Sequence, residues 1–210
     1  GTGGVVPGST TFVRCSTYKF TGGEYPYETK ATNPNTATQA LRQSGDVIWS
    51  LTNRAFKSDD LWSTCDVSYV GKSNMLVLSR FNFAIPTGMR VLGIQVFIER
   101  HATSAVRDLE VVLLSNGQVM TDNMANTDIN WPIALDSTAV YGGFGTTWRE
   151  DEWDVTDIND STFGVGIRVQ GQNNVSGVIA RLDTAQIRIY YEDPDNQQVR
   201  VAGSIDMHAS

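Results

Sequence analysis

The residues with the greatest chemical capacity are six carboxylates close together in the chain: Glu150, Asp151, Glu152, Asp154, Asp157 and Asp160. Two facing carboxylates can act as general acid and base on a glycosidic bond when each is held on a rigid element. These six share one polar stretch, which reads as a solvated acidic loop. The same loop offers oxygen ligands for Ca²⁺ but lacks the D-x-[DN]-x-[DN]-G spacing of a calcium loop, so no metal ligand is assigned. His101 and His208 are the only histidines. His208 falls in a polar terminal stretch, and His101 follows Glu99-Arg100 at the end of a strand-like run, where a surface histidine is ordinary. Without G-x-S-x-G or a Cys/His pattern there is no candidate triad. Tyr141-Gly142-Gly143-Phe144-Gly145 lacks the lysine and helix of a phosphate-binding loop and reads instead as a turn with positive φ. No catalytic residue and no cofactor is therefore assigned, and the chain reads as non-enzymatic.

Two aromatic groups remain. Trp131, Tyr141, Phe144, Trp148 and Trp153 either line a sugar-binding platform or close the ends of a sandwich, and the second reading is preferred. Tyr25 and Tyr27, flanking Pro26, are either interface anchors or packed on their own domain. Cys15 and Cys65 do not make a disulfide framework and read as free thiols in the core.

The elements that would position these residues are strands. In Phe163-Gly164-Val165-Gly166-Ile167-Arg168-Val169, apolar side chains recur at every second residue, the period at which a strand shows one face to a core. From Gly177 to Tyr191 the apolar parity changes midway: Val178, Ala180 and Leu182 share one, and Ala185, Ile187, Ile189 and Tyr191 the other. An extra residue is needed to swap faces, so a bulge is expected at Asp183-Thr184. The polar loop from Gln170 to Ser176 is expected to join these two as neighbouring antiparallel strands. Upstream, Thr11–Phe20 and Trp62–Val70 read as strands, as does a run with Met75, Val77, Phe81, Phe83 and Ile85 on one parity. Leu92, Ile94, Val96 and Ile98 mark the next, and Leu109–Leu114 is followed by the hairpin turn Asn116-Gly117. Eight to ten strands at this spacing predict an all-β, two-sheet antiparallel sandwich, with a jelly-roll topology the natural choice.

The order Trp148, Asp157-Ile158-Asn159-Asp160-Ser161, Phe163-Gly164-Val165, Ala180-x-Leu182-Asp183 and Ile187-x-Ile189-Tyr190-Tyr191 resembles the closing half of a β-sandwich module of tailed-bacteriophage virion proteins. Ser73-Asn74-Met75-Leu76, Phe81-x-Phe83-x-Ile85-Pro86-x-Gly88, Gly93-Ile94-x-Val96-x-Ile98-Glu99-Arg100 and Tyr141-Gly142-Gly143 extend the resemblance over about residues 47–192. It implies a virion structural protein, of the capsid decoration or head-fibre type. The alternatives are a tail or connector part and a carbohydrate-binding module for host attachment. No catalytic or ligand-binding residue carries over.

Composition sets the surroundings. Hydrophobic residues are 40% of the 210-residue chain and charged ones 19%, which suits a turn-rich all-β fold. Through Lys57 there are six bases and three acids, against ten bases and twenty acids in the remainder. A low-apolar N-terminal arm, residues 1–45, is expected to attach to capsid or tail proteins, with Arg14, Lys19, Tyr25, Tyr27 and Lys30 as interface residues. The sandwich is placed at 46–192 and a polar tail at 193–210. The acidic balance without a basic stripe argues against nucleic acid. No apolar run is long enough to cross a membrane, and the first residues lack a signal-peptide pattern. Unblunted edge strands lead to the expectation of a homo-oligomer, a trimer favoured. The expected location is the virion, with a host-surface glycan as a further partner.

Overall fold

Apolar alternation builds two sheets that bury one face of each. The protein, described here over residues 26–195 by a computed structural model, has ten strands: β1 (Tyr27–Glu28), β2 (Thr36–Ala40), β3 (Ser63–Asp66), β4 (Met75–Ser79), β5 (Arg90–Ala102), β6 (Val106–Ser115), β7 (Gln118–Val119), β8 (Ser137–Phe144), β9 (Gly164–Gly171) and β10 (Ile179–Glu192). A 3-10 turn, Thr52–Ala55, and one short helix, α1 (Val155–Asn159), complete them. In sheet I the order is β3-β10-β5-β8, with β1 also on β10. In sheet II it is β2-β4-β9-β6-β7. From β3 to β10 the chain places four strands in each sheet in jelly-roll order. The expected all-β two-sheet sandwich is the fold.

Between the sheets lies one core. Ile94, Val96 and Ile98 of β5 and Ala185, Ile187 and Ile189 of β10 meet Leu76 and Leu78 of β4 and Phe163, Val165, Ile167 and Val169 in and beside β9, all at most 1% exposed. The β10 ladder shifts register between Leu182 and Thr184, so Asp183 is the extra residue, at the expected place. Val178, Ala180 and Leu182 before it and Ala185, Ile187 and Ile189 after it all reach the core. Asn116-Gly117, with φ of 52° and 72°, makes the two-residue turn between β6 and β7.

Four expectations are corrected. First, β9 and β10 are not neighbours. β9 pairs with β4 and β6, and the loop after it crosses to the other sheet, so Ile167 and Ile187 face one another across the core. Second, Met75 and Val77 do not share a face with Phe81 and Phe83. Leu76 and Leu78 point into the main core, whereas Met75 and Val77 join Val112 and Leu114 in a small outer cluster. The parity changes because Arg80 and Asn82 adopt left-handed φ of 57° and 58°, ending the strand. Third, Leu92 is the extra residue of a second irregularity, between Tyr190 and Tyr191, and is only half-buried. Fourth, residues 27–40 are part of the sandwich: Tyr27 and Glu28 pair with Tyr191 and Tyr190, and β2 pairs with β4 along its whole length. The edges of both sheets had backbone groups to satisfy, and this segment supplies them. The proposed strand Thr11–Phe20 and most of the tail from 193 lie outside the described residues.

Candidate functional site

Of the proposed interface residues, Arg14, Lys19 and Tyr25 lie outside the described residues. Tyr27 stacks on Tyr191 with ring centroids 5.4 Å apart and is half-buried, so it is occupied by its own domain. Lys30 is exposed. Three of the six carboxylates of 150–160 serve local structure. Asp154 caps α1 by accepting from the Thr156 amide, and Asp160 accepts from the amide and hydroxyl of Thr162. These bonds hold both carboxyls below the usual carboxylate range. Glu152 pairs with Arg90 at 3.6 Å. Among the aromatics, Trp131, Tyr141, Trp148 and Trp153 are core residues, as preferred. Their polar atoms are satisfied: Asp108 accepts from Trp131 Nε1 and the Tyr141 hydroxyl, and Trp148 Nε1 donates to the Ile94 carbonyl. Burial, then the Asp108 charge, drives the Tyr141 hydroxyl far above its ordinary value. Cys65 is free and buried, and burial pushes its thiol up to about 12. Its partner in the sequence, Cys15, lies outside the described residues.

Phe144 is the exception. It is 60% exposed and stands on the outer face of sheet I, where β8, β5 and β10 lie side by side. Register places its neighbours. Phe144 is opposite Gly93, and Gly93 is opposite Tyr190, so the missing side chain at Gly93 lets the two rings meet edge to face at 5.8 Å. A Cβ at Gly93 would lie 2.2 Å from the Gly143 carbonyl oxygen. The next pairs along the same face are Gln95 with Arg188 and Phe97 with Gln186. Tyr190 donates its hydroxyl to Gln95 Oε1 at 3.1 Å, and the Arg188 guanidinium lies 5.4 Å from the centre of the Phe97 ring. Arg188 Nε is buried and has no hydrogen-bond partner among the described residues. The outer face thus carries exposed and half-exposed rings interleaved with planar amide and guanidinium groups.

At the far end of this face the chemistry is acidic. Arg181 pairs with His101 on the outer side, and Trp62 covers them: its ring is 5.0 Å edge-on to His101 and 5.4 Å from the Arg181 guanidinium. His101 is not at the surface, as expected from sequence, but 2% exposed. The strand continues one residue past it, and Trp62 closes the side that would otherwise face water. Its Nδ1 lies 2.6 Å from Asp136, which also accepts from Trp62 Nε1 at 2.9 Å. Beside Asp136 stand Asp60, Glu99 and Asp183, with one carboxylate oxygen of each within 4.8 Å of the others. Asp183 is fully buried and accepts from the amides of Asp59 and Asp60. Burial, reinforced by the charges of Glu99 and Asp136, pushes its carboxyl up to about 6 against the pull of those amides. Sequence reasoning found Asp183 as a bulge but missed the cluster, which is drawn from four separated segments. The available signal was an aspartate within an otherwise apolar strand.

A second concavity, of about 360 Å³, lies on the outer face of sheet II between Thr36, Thr38, Val77, Leu114, Ser161 and Thr162. Among the described residues no aromatic side chain lines it.

No protein-family model matches the chain, and neither does any characterised protein sequence. Solved structures with a similar arrangement include a protein from Bacteroides thetaiotaomicron VPI-5482 whose sugar binding is itself an inference, 11% identical over 75% of this chain and 89% of that one, with a TM-score of 0.39. Another is the enzymatically active domain of tailspike protein 4 of bacteriophage CBA120, 12% identical over 75% of this chain and 19% of that one, TM-score 0.37. A third is a xylan-binding module, 13% identical over 80% of this chain and 97% of that one, TM-score 0.33. At such identities and scores these likenesses carry no inference about what this chain binds.

Proposed function

We propose that the protein binds carbohydrate, without cleaving it, through the outer face of sheet I. The observation that carries this reading is the row of Phe144, Tyr190, Gln95, Arg188 and Phe97 on one open face, with Phe144 60% exposed. A sugar ring has an apolar C–H side, which an aromatic face with its negative quadrupole accepts, and vicinal hydroxyls, which a planar amide or guanidinium meets two at a time. The Arg188 guanidinium, beside the Phe97 ring, adds a planar cationic donor group to that face. Binding without catalysis is favoured because Asp183, the carboxyl with a value suited to proton transfer, is fully buried and both its oxygens are engaged by backbone amides.

The sequence resemblance to virion modules supports a phage particle as the setting for such a face, with a host-surface glycan as the partner. In this reading the protein is a homo-oligomeric virion component, a trimer favoured, because several weak glycan sites gain avidity when presented together. A decoration role, with the segment before residue 26 holding the shell, is the second reading and rests on the resemblance alone.

Glycan-array binding of the labelled full chain tests the proposal. Bacterial surface polysaccharides should be retained by the wild type and lost in Phe144→Ala, whose melting temperature should be unchanged because the ring is exposed. Equal retention by the variant would sink the proposed face.

A further inference from the structure

The acidic cluster at the end of sheet I is built from four elements that share no local sequence: Asp60 follows the 3-10 turn, Glu99 lies on β5, Asp136 precedes β8, and Asp183 is the bulged residue of β10. One carboxylate oxygen from each falls within 4.8 Å of the others. Four negative charges at this spacing repel, least screened at the buried Asp183 and most at the exposed Asp60, with Glu99 and Asp136 half-buried between them. Among the described residues neither the Glu99 nor the Asp60 carboxylate has a hydrogen-bond donor or a cationic partner. Of the four carboxylates His101 touches only Asp136, and Arg181 stands on the far side of the imidazole, 3.4 Å from its Nε2.

A separate observation points into the same place. Thr184, next to Asp183 and directly opposite Glu99 in the ladder, puts its side chain on the cluster's face of the sheet. It is 3% exposed, and among the described residues its Oγ1 has no hydrogen-bond partner. A buried hydroxyl without a partner costs stability unless a ligand satisfies it. Two of the carboxylates are also already oriented. Asp183 is held by the amides of Asp59 and Asp60, and Asp136 by Trp62 and His101, as the outer contacts of a metal site hold its ligands.

We propose that Asp60, Glu99, Asp136 and Asp183, with the Thr184 hydroxyl, form a Ca²⁺ site that ties β10 to β5 and to the loops before β3 and β8. An all-oxygen set drawn from flexible and rigid segments suits an ion that takes six to eight oxygens in adaptable geometry, and suits the smaller octahedral Mg²⁺ less well. The bound ion offsets two of the four negative charges and accepts the Thr184 oxygen lone pair. The site does not rest on the glycan-binding reading.

The test uses the full chain, stripped with EDTA and dialysed, with CaCl₂ as the only added ligand. Thermal unfolding followed by tryptophan fluorescence should show a midpoint that rises and then follows the logarithm of Ca²⁺ concentration, as it must for an ion that binds the folded chain. Calorimetry should report one ion per chain. Glu99→Gln and Asp60→Asn, at side chains that make no hydrogen bond, should fold and should weaken Ca²⁺ at least tenfold. A wild type indifferent to Ca²⁺ by both methods overturns the proposal. So does a Glu99→Gln chain that titrates like the wild type, which would put the ion elsewhere, or an equal response to MgCl₂.

Discussion

Arg168 illustrates how a charged residue within an apolar strand is made tolerable. It lies on the outer side of β9, 3% exposed, and gives Nη2 to Asp46 at 2.7 Å, Nη1 to Glu110 at 3.0 Å and Nε to the Ser73 carbonyl at 2.8 Å. Removing one member of a buried ion network costs more than the network contributes, because the remaining charge is stranded. Arg168→Ala should therefore lose about 3–5 kcal/mol of stability, read from urea midpoints. The same group sets an acid limit. Burial alone would raise the Asp46 carboxyl, but the Gln43 amide, the Arg168 guanidinium and the Arg42 amide together hold it below its usual range. A carboxyl lowered by folding contributes stability that is complete above its unfolded value of about 3.9 and is lost as pH falls through the folded value. Melting temperatures from pH 6 down to pH 2.5 should fall in the wild type and fall less in Asp46→Asn. A parallel decline would detach Asp46 from acid stability.

At the scale of elements, the long strands were legible because their period-two pattern is enforced by a core on one side. Phe163, Val165, Ile167 and Val169 all reach it, and the parity change in β10 located the Asp183 bulge. What strand neighbours what was not legible, because alternation says which face a residue takes and nothing about the strand beside it; hence β9 and β10 were misplaced as partners. Residues 27–40 were read as an arm because short edge strands bury little and leave almost no apolar signal, and β2 has no fully buried residue. The candidate face was invisible for another reason. Its members alternate with core residues on β5 and β10, so Gln95, Phe97, Arg188 and Tyr190 look like ordinary outward positions until the strands lie side by side. Two outcomes follow. Ile167→Ala, at a site with no exposure, should cost about 2–5 kcal/mol by denaturant unfolding. Deleting Asp183 would force residues 178–182 or residues 185–189 to face the wrong way, so circular dichroism should show an unfolded chain; a deletion variant with native melting would disprove the bulge's role.

For the whole molecule, the segment after residue 26 extends both sheets, through β1 on sheet I and β2 on sheet II. Removing residues 1–45 should therefore lower the melting temperature, as well as whatever attachment the earlier residues provide; a truncated chain as stable as the full one would return this segment to the arm. Edge strands β2, β7 and β8 remain available to neighbours, and light scattering should give about three times the chain mass of 23.0 kDa if the trimer forms unaided. The central claim, that the outer face of sheet I binds a glycan, is tested most directly by mapping amide chemical shifts of the labelled protein during titration with the oligosaccharide best retained on the array. Shifts should cluster at Gln95, Phe97, Phe144, Arg188 and Tyr190. Shifts confined to Thr36, Val77, Leu114 and Thr162, on the opposite sheet, would contradict it.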